Sequence, residues 1–90
     1  MKIVVNKCFG GFGLSKEAIE RLSELGADGI DVEANRHNPI LVQVVEELGK
    51  AASDVFAELV IVEIPDGVDW WIVEYDGAED VAEVHRKWYP

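Results

Sequence analysis

Apolar positions open the chain in a β-branched run. Lys2-Ile3-Val4-Val5-Asn6-Lys7-Cys8 is stopped by glycines, which predicts a strand over 2–8. Phe9-Gly10-Gly11-Phe12-Gly13 then reads as a loop whose three glycines permit positive φ and close backbone approach. Ala18, Ile19, Leu22 and Leu25 recur at three and four residues and make one face of a helix. Ser15 suits its N-cap, Leu14 is placed to staple against Ile19, and Gly26 closes it in the C′ position. Residues 27–38 look irregular, with only a weak alternation over 29–33. Asn38-Pro39 is a helix start, Asn as cap and Pro as first helical residue. Leu41, Val44, Val45 and Leu48 line that helix, Gly49 stops it, and a polar connection covers 50–54.

The remainder reads as extended. Strands are predicted over 60–64 and 70–75, the first entered through Glu58-Leu59 and the two joined by the turn Pro65-Asp66-Gly67. Asp76-Gly77 is a strong hairpin signal if an extended segment follows. Val81 and Val84 also suit a helical turn, but the Asp-Gly turn favours a returning strand over 79–85. The order predicts an α+β fold: a small mixed or antiparallel sheet of three to four strands with two helices packed on one face.

Ninety residues make one domain, 1–90, which buries only about 60–65% of its unfolded surface, so self-association into a homo-oligomer would add stability. The 49% hydrophobic content with three Trp supplies a core and argues against disorder. A lone cysteine, Cys8, excludes an intramolecular disulfide. Lys2-Ile3-Val4-Val5 runs at once into Asn6 and Lys7, unlike a signal peptide, and no apolar run approaches the roughly 20 residues of a membrane span. A cytoplasmic protein is expected.

Charge sharpens this picture. The net charge of −10 disfavours general binding to nucleic acid or to an anionic membrane. It is unevenly spread: residues 1–21 carry +2, residues 22–84 carry −14, and residues 85–90 carry +2. The plain reading is a solvated acidic surface; the sharper one is two basic ends on an acidic body.

The glycine loop is the most informative local feature. A strand, a glycine loop and a helix N-terminus gather backbone N–H groups and a positive dipole end, which suits an anion. Lys7 before the loop and Lys16 after Ser15 add positive charge. The spacing Gly10-Gly11-Phe12-Gly13 is neither a Walker loop nor a dinucleotide fingerprint, and a tight strand-to-helix turn that tucks Phe9 or Phe12 into the core is the plainer explanation. Two aromatics there also fit stacking on a base. Arg36-His37-Asn38-Pro39 concentrates donors at a second helix start, or is a capped loop with an exposed Arg. The end segment His85-Arg86-Lys87-Trp88-Tyr89 interleaves charge and aromatic rings as a nucleotide grip does, or is an ordinary terminus. Cys8 lacks a neighbouring base in sequence and reads as a core thiol. The histidines and carboxylates have no recognisable metal spacing, and the pairs Glu46-Glu47 and Glu79-Asp80 read as solvated surface. No catalytic set, cofactor or metal is expected.

The stretch Asn6-Lys7-Cys8-Phe9-Gly10-Gly11-Phe12-Gly13-Leu14-Ser15 resembles the start of a widespread set of small uncharacterised bacteriophage and prophage proteins. So do 38–39 with 41–49, 56–59, 62–65, Glu74-Tyr75-Asp76-Gly77 and the closing His85-Arg86 with Trp88. The likeness departs around 27–35 and at Glu79-Asp80. It implies a phage-derived accessory protein in the host cytosol, of a kind that often counters host defence by sequestering a nucleotide signal or blocking a host protein.

Three functions are therefore weighed. The first is a non-enzymatic binder of a small nucleotide-like anion, its site formed by Lys7, Phe9, Gly10, Gly11, Phe12, Gly13, Ser15, Arg36, His37, His85, Arg86 and Trp88. The second is an acidic protein-protein inhibitor whose 22–84 surface imitates nucleic acid or docks and blocks a basic host enzyme. The third, a small hydrolase or nuclease, has the least support.

Overall fold

The computed structural model describes residues 1–84. Its elements are β1 (Lys2–Asn6), α1 (Lys16–Glu24), α2 (Pro39–Leu48), a 3-10 turn (Gly49–Ala52), β2 (Leu59–Glu63), β3 (Asp69–Tyr75) and β4 (Ala78–Val84). The fold is α+β, as the pattern predicts. Residues 27–38 are irregular, and the weak alternation at 29–33 forms no strand. The 50–54 connection begins with the 3-10 turn instead of running straight into β2.

The four strands do not share one sheet. β1 pairs antiparallel with β2, and β3 pairs antiparallel with β4, giving two sheets of two strands. Why they stay separate is visible along β1. In the β1–β2 register the backbone groups of Val4 and Asn6 point away from β2. A neighbouring strand would pair there. Instead the Val4 N–H donates to the Arg36 carbonyl at 2.9 Å, and the Asn6 N–H donates to the Glu79 carboxylate at 2.9 Å. A loop carbonyl and a side chain occupy the edge that β4 would need.

Strand alternation divides the core in two. Val4, Leu59 and Ile61 pack with Ala18 and Leu22 of α1 and with Leu41, Val44 and Val45 of α2. Ile3, Val5 and Ile64, with Val60 and Val62, pack instead against Trp70, Ile72 and Val81 of the β3–β4 hairpin. Ile3, Val4 and Val5 are fully buried because β1 is covered on both faces, which is why its sequence shows no polar alternation. α2 is the helix that lies against β1 and β2, while α1 packs on α2 and on the 3-10 turn.

Both helix starts match the sequence. Ser15 accepts from the Ala18 N–H, and Asn38 accepts from the N–H groups of Ile40 and Leu41 ahead of Pro39. The hairpin turn also follows: Asp76 and Gly77 have φ of 51° and 88°, the two positive values a two-residue turn requires. At Gly77 a second constraint applies, since an added Cβ would lie 2.5 Å from the Phe9 carbonyl oxygen and 2.7 Å from the Gly11 nitrogen. Gly11 itself has φ of 95° but open space around its missing Cβ. Gly11→Ala is therefore expected to cost about 1 kcal/mol, the conformational penalty alone. Gly77→Ala should cost clearly more, because the hairpin tip must also back away from the glycine loop. Urea denaturation of the two variants checks the order.

Candidate functional site

The glycine loop is held on two sides. An added Cβ at Gly10 would collide with the backbone of Phe56, and Gly77 of the hairpin tip presses on Phe9 and Gly11. Past the loop, the Asp54 N–H donates to Gly13, the Ser15 N–H donates to Ala52, and Leu14 bridges Ser53. The Ser15 hydroxyl donates to the Ala51 carbonyl while it caps α1. Its two aromatics separate: Phe9 is 71% exposed, whereas Phe12 is half-buried beneath the Arg36 guanidinium, whose carbon lies 3.9 Å from the ring centre. Stacking of one base between Phe9 and Phe12 is not the geometry seen.

Asn6, at the end of β1, fastens this region. Its Nδ2 donates to the carbonyls of Cys8 (2.7 Å) and Gly77 (2.8 Å). Its Oδ1 accepts from the N–H groups of Cys8 (3.2 Å) and Glu58 (2.8 Å). A fully buried amide is thereby satisfied at both ends, and it ties the glycine loop, the hairpin tip and the entry to β2 to one side chain. Cys8 is a free, half-buried thiol beside it.

Arg36 and Glu79 form the electrostatic centre. Arg36 is buried, not the exposed loop residue its sequence context suggests, and Glu79 is buried, not solvated surface. Nη1 donates to Glu79 Oε1 at 2.6 Å and Nη2 to Oε2 at 2.8 Å, a bidentate fork. Nε donates to the Glu33 carbonyl and Nη1 also reaches the Val4 carbonyl. Burial pushes the Glu79 carboxyl up, but the hydrogen bonds from Arg36 and the Asn6 N–H, with the guanidinium charge, outweigh it and hold the group below its ordinary value. Lys7 sits nearby and pairs with Asp80 at 3.2 Å on the surface. The Asp80 carboxyl is lowered first by the Val81 N–H and then by Lys7.

The candidate anion residues are thus only partly gathered. Phe9 and Gly11 meet the hairpin tip, Lys7 pairs with Asp80 of β4, Gly10 packs against Phe56, and Phe12 meets Arg36. Arg36 is turned inward with its donors on protein acceptors. His37 is exposed and stands edge-on to Trp70, with ring centres 5.6 Å apart. His85, Arg86 and Trp88 lie outside the described residues. Lys7 pairs with Asp80, and β4 ends at Val84, four residues further on and about 13 Å away by strand rise.

A different surface stands out on β3, one to which sequence reading gave no role. Trp70 and Ile72 point into the core, so alternation turns Trp71, Val73 and Tyr75 outward, where they are 56%, 39% and 76% exposed. Phe9, Val55 and Phe56 add exposed apolar side chains around the glycine loop. In the register closed by Tyr75 and Ala78, the backbone groups of Trp70, Ile72 and Glu74 face away from β4. Among the described residues no other strand pairs with that edge. From 51 to 84 the sequence has ten Asp and Glu and neither Lys nor Arg. No helix among the described residues is long and apolar enough to cross a membrane.

No protein-family model matches this chain, and no curated protein and no solved structure matches it either.

Removing one partner of the buried fork should be severe. Arg36→Met strands the Glu79 carboxylate and is expected to cost about 3–5 kcal/mol, whereas Arg36→Met with Glu79→Leu should recover much of that loss. Because the folded-state value of Glu79 is depressed, its contribution is fully present above the ordinary glutamate value of about 4.5 and is lost as pH falls through the lowered one. Denaturant titrations across that acidic range should show a steeper loss in the native protein than in the double variant.

Proposed function

We propose that this chain is a non-enzymatic, acidic protein-binding domain that docks a basic extended segment of a partner along the outer face and open edge of β3. The observation that carries this reading is the row Trp71, Val73 and Tyr75 beside an unpaired strand edge, within a stretch that holds ten acids and no Lys or Arg. An exposed edge with apolar side chains is a template for strand addition, in which main-chain bonds give affinity and alternate side chains give specificity. The surrounding carboxylates select a partner rich in Lys or Arg and speed its approach. An accessory role against a basic host protein fits the resemblance to small phage proteins.

The nucleotide reading keeps the glycine loop and Lys7 but loses Arg36, whose guanidinium is committed to Glu79 and to backbone carbonyls. That loss is the reason for preferring the protein partner.

The test uses a labelled peptide that alternates Lys and Val and is long enough to span Asp69–Tyr75, read by fluorescence anisotropy. Binding should weaken as salt rises and should disappear when every second peptide nitrogen is methylated, since that blocks strand pairing without altering charge. Trp71→Ala should weaken it about tenfold or more, the scale of a lost aromatic anchor. Equal binding of the methylated peptide, or no effect of Trp71→Ala, would sink the proposal. A thermal shift with mononucleotides or cyclic nucleotides and none with the peptide would return the anion reading.

A further inference from the structure

The helical pattern of α1 places Ile19 on the same apolar face as Ala18 and Leu22. Those two are buried, yet Ile19 is 57% exposed. The reason is an open cavity of about 310 Å³ between the glycine loop, α1 and the 27–33 segment. Phe12 and Leu14 line it from the loop, Ile19 and Leu22 from α1, and Ile30 and Val32 from the far side. The floor is firm, because Phe12 is pinned by the guanidinium of Arg36 and Leu22 belongs to the packed core.

Two polar side chains complete the lining, and both are acids, Asp28 and Glu33. Among the described residues no Lys, Arg or His lines the cavity, and neither carboxylate has a cationic partner. The adjacent Arg36 brings no compensating charge, since Glu79 neutralises it. Apolar walls with a few convergent polar groups are the usual make-up of a small-molecule site, and this one stands at the small end of the usual range of about 300–1,000 Å³. An anion or a neutral polar molecule meets repulsion or bare hydrocarbon there. A compact apolar body carrying a positive charge meets a matching surface at both ends.

We infer that this cavity is a binding site for a small organic cation, a single ring or short branched chain bearing an ammonium group. The ring sits among Phe12, Ile19 and Ile30, and the ammonium lies at the Asp28 and Glu33 carboxylates. The site lies on the helical side of β1, apart from the hairpin face, so its occupancy is independent of the protein-binding reading above.

Three probes that share one ring test the assignment on the full chain by amide NMR: 2-phenylethylamine, 2-phenylethanol and 3-phenylpropionate. The amine should shift the signals of Ile19, Gly29 and Ile30 saturably, the alcohol should bind at least tenfold more weakly, and the acid should leave them unmoved. Asp28→Asn with Glu33→Gln should reduce amine binding to the level of the alcohol while leaving alcohol binding unchanged. Ile19→Arg, a change at an exposed position, should abolish binding of both. Equal affinity for amine and alcohol would overturn the role of the carboxylates. Shifts confined to other surfaces, or contacts from the chain's own residues 85–90 into Ile30 in the absence of probe, would overturn the site itself.

Discussion

The buried fork between Arg36 and Glu79 is the interaction on which the arrangement of layers depends. It joins a residue from the irregular 27–38 segment to one from the last strand, and both are also bonded to β1. Arg36 meets Val4 through its carbonyl and its guanidinium, and Glu79 meets the Asn6 N–H. An ion pair thus stands in the place of a strand. Hydrophobic contact brings the hairpin over β1, but apolar packing alone leaves its position along the strand loosely fixed. A bidentate pair with further hydrogen bonds on both partners fixes it, because any slip strands two charges away from water.

The elements were legible in the sequence wherever a local device sets them. Ser15 and Asn38-Pro39 mark helix starts by capping chemistry, and Asp76-Gly77 sets a turn whose two positive φ values few other dipeptides adopt. The joining of strands into sheets was not legible. Nothing in the local pattern around Val4 and Asn6 announces that their outward groups bond to a loop carbonyl and a carboxylate from 32 and 73 residues away. One signal was present: once the turn fixes Tyr75 opposite Ala78, Glu79 shares a face with Val81 and so points into the core. A carboxylate at an inward position demands a cation, and Arg36 is the one that answers.

The same reasoning explains the candidate site. Arg36 and Lys7 look alike in a list of cations, yet one is consumed by architecture and the other sits on the surface beside Asp80. The exposed row on β3 stayed hidden in the sequence for a related reason. Trp70-Trp71-Ile72-Val73 is apolar at inward and outward positions alike, so the pattern reads as a strand covered on both faces. Only the three-dimensional arrangement shows that one face is bare.

That bare face has a bearing on how the protein keeps from clumping. A strand edge with Trp71 and Tyr75 beside it is a template for the same edge of another molecule, and the abundant carboxylates around it oppose that approach. The protection is ionic, and it fades as acidity approaches the isoelectric point near 4.4. The Glu79 carboxyl is held below its ordinary value, so it keeps its charge and its fork with Arg36 through that interval. Solubility therefore fails before tertiary order does, and mild acid should make the still-folded protein associate edge to edge.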